Sequence, residues 1–271
     1  MKKDILFFFG ALMIVPLFAQ HSLQSRYNMF RADDQIIKQQ VKYKEPGRTG
    51  ENVLWDFSKL TALDDEYSLN YSSWENSIVG TEHNTMYYYS LSNDSLLLWG
   101  YENSTTLMKN DQPELLLQFP VAYKSATKSY YYGSGKYCDR LQLNAVGTIE
   151  TEFDAFGMMI LPNKDTLKNV LRIHTTKYIA EESKPLSSFG RNIHRPEEND
   201  RHPIPLITSD SIDYRLSSDS ILFVVETFRW YERGYRYPVF ETIQSWVQKQ
   251  DQKILTSLTL LFSILHKSII I

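Results

Sequence analysis

The sequence contains a single cysteine, Cys138, among its 271 residues. One thiol closes no intrachain disulfide framework and builds no cysteine-rich zinc module. Basic charge is not in excess either. Lys and Arg number 29 against 32 Asp and Glu, a formal net charge of -3, without the basic footprint of a nucleic-acid binder. Neither of the two apolar runs, one at each end, is long enough for a comfortable helical membrane span. There is no Gly/Ser or Pro linker and no internal repeat at a fixed period. The catalytic signatures G-x-S-x-G, H-E-x-x-H and the P-loop are absent. Gly133 and Gly135 form a lone G-x-G, with Cys138 where the third glycine would stand. It reads as a turn between strands rather than a phosphate cradle.

What is there is an ordinary globular balance, 42% hydrophobic and 23% charged, which excludes a disordered chain, a collagen-like rod and a polytopic membrane protein. The first residues have a short basic start at Lys2 and Lys3, an apolar run over 5–15, and a small-residue site ending at Ala19. That order is the pattern of a secretory signal peptide. It predicts a signal over 1–19 and one β-rich domain over 20–252. The hydrophobic stretch at 253–271 is left open: a terminal strand or helix, a membrane-seeking segment, or an abnormal end produced by a frameshift or a lost downstream segment. Cys138 reads as a small apolar strand residue.

Aromatic residues make up 14% of the chain. They sit in short runs with β-branched residues and leucine, separated by Asn, Asp, Ser and Gly, the spacing of antiparallel strands and turns. Leu141, Leu143 and Ala145 alternate on one face, and Gly147 reads as a bulge or bend where the alternation resets toward Ile149, Thr151 and Phe153. Residues 154–157 read as a turn. Leu171, Ile173 and Thr175 fall on one strand face, with Arg172 and His174 on the other. Residues 221–225 are apolar on both faces, as in a central strand. Consecutive tyrosines at 87–89 and 130–132 must point to opposite faces. Residues 183–205 read as a long polar loop. The predicted fold is all-β and mainly antiparallel, a β-sandwich or a strongly curled sheet.

Three segments carry a resemblance. The first is P-G-x-x-G-x-N-x-x-W-D-F-S at 46–58. The second runs from Asp154 through Leu161 and Pro162 to N-V-L-R at 169–172. The third is W-Y-x-x-G-x-R-Y-P-V at 230–239. In this order they resemble uncharacterised secreted proteins of the Bacteroidetes type, many of which end in a type IX secretion sorting domain. Nothing after Gln252 resembles that domain, and Lys164 stands where the group tends to have glycine. The resemblance implies a β-rich exported protein in the periplasm, on the outer-membrane surface or outside the cell, and supplies no activity.

Among chemical candidates, residues 229–238 combine rings with charge. Trp230, Tyr231, Tyr235 and Arg236 are the candidate binding residues, suited to stacking on sugars or peptides. The competing reading makes the same residues a strand pair whose rings fill the core and whose arginines cover it. His194 and His202 flank Glu197, Glu198 and Asp200, but the spacing matches no metal pattern, so no metal, cofactor or catalytic residue is assigned. His174 beside Arg172 lines a cleft or a solvated sheet face. The leading expectation is a non-enzymatic envelope or surface module in binding or assembly. Its partner is an unknown protein or glycan, with no nucleic acid and no stable transmembrane anchor. The rivals are a carbohydrate-active enzyme or accessory glycan binder, which needs a cleft with two carboxylates, and a closed barrel carrying an apolar ligand.

Overall fold

The computed structural model describes residues 22–186, 207–249 and 252–264. The signal-peptide pattern and the histidines and acids of 194–202 lie outside the described residues. In chain order the elements are β1 (Ser22–Leu23), α1 (Ser25–Asn28), β2 (Gln35–Val41), β3 (Gly50–Asp56), β4 (Tyr67–Trp74), β5 (Ser77–Glu82), β6 (Thr85–Ser92) and β7 (Ser95–Glu102). Then come β8 (Thr106–Gln118), β9 (Val121–Ala122), β10 (Ala126–Tyr137), β11 (Leu141–Ile160), β12 (Thr166–Pro185), α2 (Ser209–Ser218), β13 (Ile221–Glu232), β14 (Phe240–Lys249) and β15 (Gln252–Ile264). Strand accounts for 68% and helix for 6%, so the fold is all-β, as the alternation predicts.

The architecture differs from the predicted sandwich or curled sheet. The main sheet closes into a 12-strand antiparallel barrel. Each wall strand pairs with the next wall strand in the chain, with β1, β3 and β9 left out of the circuit. The wall is therefore an up-and-down meander. It closes where β15 meets β2, antiparallel from Leu260↔Val41 to Ile264↔Ile37. The closing contact joins positions more than 200 residues apart, and strand alternation carries no record of it. β15 is built from the hydrophobic stretch whose status the sequence leaves open.

The alternation has two destinations. Outward-facing Trp230, Phe240 and Phe262 are covered by β3, which pairs in parallel with the far end of β11 and lays Trp55 and Phe57 over them in one core cluster. Inward-facing Leu96, Phe153, Ile173 and Tyr231 meet Leu23, Phe119 and Val121 in a second cluster. Tyr71 and Tyr237 stack beside Ile36 and Leu69 in a third. The segment with β1 and α1, together with β9, thus plugs one end of the barrel. Outside the wall, Ile212 of α2 packs on Val146 and Ala180, and a capping box between Thr208 and Ser211 starts that helix.

Local readings are corrected in several places. Residues 154–157 are not a turn: β11 runs through them with register shifts at Phe153/Ala155 and Gly157/Met159, because Asp154 is held by Arg172 and β3 pairs alongside. Gly147 is no bulge. It stays in register between Tyr131 and Ile179, and a Cβ there would lie 2.6 Å from the Tyr131 ring. Cys138 is exposed, in the β10–β11 turn with φ 50°. The predicted polar loop begins later, since β12 continues to Pro185. The tyrosine rule holds in the register: Tyr131 shares the inner face with Gly133 and Ala145, while Tyr130 and Tyr132 pack outside near α2.

Candidate functional site

An eight-strand barrel is just wide enough for side chains to fill, and diameter grows with strand number. Twelve strands therefore leave a lumen wherever no plug fills it. Its inner face follows from the pairing register and from contacts that cross the barrel.

Next to the plug lies a charged layer. Lys38 of β2 reaches Glu82 of β5 at 3.2 Å and Glu241 of β14 at 3.9 Å, and Glu241 also accepts from Arg229 of β13. Burial alone would raise the Glu241 carboxyl, but Arg229 and Lys38 outweigh it and hold it below the usual range. These groups and Tyr89, Tyr231 and Tyr237 line a chamber of about 110 Å³. That is room for roughly seven to eleven waters at about 10–15 Å³ each. A carboxylate held ionised by two cations serves an ion-pair network rather than proton donation to a leaving group.

Further along, Lys177 of β12 donates to Glu114 of β8 at 2.6 Å, spanning β10 and β11. Lys177 also lies 4.6 Å from the centroid of the Tyr131 ring. The Tyr131 hydroxyl is buried and has no hydrogen-bond partner among the described residues. Tyr101 and Glu181 approach the same region: burial raises both, and Glu181 and Glu114 raise Tyr101 further. Val225 faces Lys177 directly, and Phe223 faces Ile179. At this end Phe223 is 40% exposed, so the apolar part of the lining meets solvent.

The phenols give a pH prediction. Burial is the leading cause that raises Tyr43, Tyr87 and Tyr231 from 10.0 to about 12, and it also raises Tyr71 and Tyr131. A group that holds its proton more tightly when folded contributes stability that is complete below its unfolded pKa and lost as pH rises through the folded one. The fold is thus expected to weaken progressively above pH 10. Absorbance at 295 nm in an alkaline titration should show a late phenol phase coincident with loss of the far-UV β signal. A single phase near pH 10 with the fold intact would contradict the burial of these rings.

The candidates of 229–238 fall on different sides of the wall. Trp230 is fully buried on the outer face, edge-on to Trp55 and Phe57. Tyr231, on the inner face of β13, is buried against the plug. Tyr235 packs at the margin of the outer cluster. Arg236 donates to the Met29 carbonyl at 2.9 Å. The structure does not gather the four into one place. His174 faces outward, stacked on Phe228 at 4.2 Å and bonded through Nε2 to Glu226 at 2.8 Å. One of its ring nitrogens and oxygens of Glu152 and Asp154 lie within 4.8 Å of one another. Both Asp154 oxygens are already taken by Arg172, so the cluster is largely satisfied internally.

The lumen residues escape sequence reasoning because no motif links Lys38, Glu82, Glu114 and Lys177. One signal was available: Lys177 continues the face of Leu171, Ile173 and Thr175, a charge at an inward position. No family model, no curated protein and no solved structure matches the chain.

Proposed function

We propose that this chain is an exported, non-enzymatic binding module that holds a small amphipathic ligand in the barrel lumen. The ligand's polar end lies toward Lys177 and Glu114, and its apolar end lies at the mouth near Val225 and Phe223. The observation that carries the reading is the buried Tyr131 hydroxyl, without a hydrogen-bond partner among the described residues, beside that ion pair, in a barrel wider than side chains fill. Buried ion pairs are weak contributors to stability and are often replaceable by apolar packing, so a charged lumen points to a role other than holding the fold. Export is supported by the signal pattern and by the resemblance. Outward strand positions include Lys109, Asp111, Glu150 and Glu152, and cations at a bilayer midplane cost about 2–4 kcal/mol each, so a water-facing barrel suits this surface better than a lipid-facing one. Among the described residues no helix is long and apolar enough to cross a membrane.

The test uses 1-anilinonaphthalene-8-sulfonate, which combines a sulfonate with aromatic rings. Saturable, blue-shifted fluorescence from the folded protein is expected. Val225→Trp, which fills the lumen opposite Lys177, should abolish it with the far-UV spectrum unchanged. Absence of saturable binding, or binding indifferent to that substitution, overturns the reading.

A further inference from the structure

We infer that the outer wall carries a separate glycan-binding platform, built from Trp74, Tyr88 and Trp99 and suited to the pyranose rings of an oligosaccharide. Trp55 and Trp230 are buried, but Trp74 is 57% and Trp99 is 41% exposed. Both line one cleft of about 390 Å³ together with Tyr88, Glu102 and Lys109, within the range of small-ligand sites.

The backbone is shaped to present these rings. β7 slips register against β8 between Leu98 and Gly100, and bulges of this kind re-aim a side chain beside a site. Gly100 has φ 139°, and a Cβ there would lie 2.1 Å from the Met108 carbonyl oxygen. Only glycine fits beside Trp99. A second slip, between Tyr88 and Tyr89, lies in the β6–β7 pairing. The Trp99 Nε1 donates to Ser90 Oγ at 2.7 Å, which fixes the indole by its edge. Trp74 stands at the end of β4, its ring centroid 5.5 Å from that of Tyr88, whose hydroxyl donates to Glu102 at 3.1 Å.

The chemistry selects the occupant. A pyranose has an apolar C–H face and a rim of hydroxyls, and it needs a ring to lie on and polar groups at the edge. The rings supply area at low entropic cost, and the Glu102 carboxylate, the Lys109 ammonium and Ser77 supply the edge. A protein or lipid surface would call for a larger continuous apolar patch. Here the neighbouring outward positions are Ser68, Asn70, Ser72 and Ser90. The platform lies on the opposite side of the wall from the lumen, so either site can fail without the other.

The test is titration of the intact protein with cellotriose, maltotriose, xylotriose, mannotriose and triacetylchitotriose, followed by intrinsic tryptophan fluorescence. At least one is expected to give a saturable change below about 10 mM. Trp74→Ala and Trp99→Ala should each weaken it by about tenfold or more, as loss of an aromatic anchor does. Both rings are exposed, and an unchanged melting temperature verifies the fold of each variant. Val225→Trp should leave the sugar response intact, which separates this site from the lumen. No saturable response to any of the five sugars, or a response that survives both tryptophan substitutions, overturns the inference.

Discussion

Replacing Asp154 with alanine is expected to lower the melting temperature by about 6–20 °C. Arg172 is 0% exposed. Its Nε and Nη2 meet the two Asp154 oxygens at 2.8 and 2.7 Å, and its Nη1 donates to the Pro46 carbonyl at 2.6 Å. Its guanidinium carbon lies 5.7, 5.1 and 5.9 Å from the centroids of Trp55, Phe228 and Trp230. Removing the carboxylate leaves this cation buried without its counter-charge, a defect that costs about 3–5 kcal/mol. Each kcal/mol is roughly 2–4 °C in a domain of this size. Asp154→Leu combined with Arg172→Met should recover much of the loss, because the desolvation penalty disappears along with the attraction. Thermal scans and urea midpoints on the two variants check both halves. A single variant that melts like the parent would mean that the pair is not buried.

The second large effect concerns barrel closure. Leu260→Asp is expected to abolish the cooperative transition, while Leu255→Asp leaves it within about 0.5 kcal/mol of the parent. The two leucines lie on the same strand. Leu260 is 0% exposed, pairs with Thr242 on one side and Val41 on the other, and packs in the cluster with Phe240 and Phe262. Its replacement loses about 2–5 kcal/mol of packing and adds an unpaired carboxylate that must be desolvated. Together these rival the 5–15 kcal/mol that holds a typical domain. Leu255 is 48% exposed and gives up little. Size-exclusion chromatography should show Leu260→Asp as expanded or aggregated, since an unclosed barrel offers open strand edges to other chains. Equal behaviour of the two variants would contradict closure by β15.

The strand pattern was legible because it is local. Leu171, Ile173 and Thr175 alternate with Arg172 and His174, and the structure puts the two sets on opposite faces of β12. The tyrosine runs divide between faces for the same reason. The turn predicted at 154–157 was misread because what keeps the chain extended there comes from elsewhere: Arg172 from β12 and the parallel strand β3. Gly147 was misread similarly, since its lack of a side chain answers to the Tyr131 ring across the β10–β11 pair. Trp99 carried a local cue in the glycine that follows it, but exposure depends on which neighbours fail to cover a ring, and one strand does not show that.

By itself the sequence determined the secondary structure class, the alternation within strands such as β12 and the split of neighbouring side chains between two faces, because these depend on backbone sterics and a period of two residues. Only the tertiary structure decided that the sheet closes, that β15 seals it against β2, and which face of each strand becomes lumen or outer surface. Closure joins strands more than 200 residues apart that share no local pattern. Inner and outer faces exist only once the wall is complete, and it is then that Lys38, Glu82, Glu114, Lys177 and Tyr131 come to face one space.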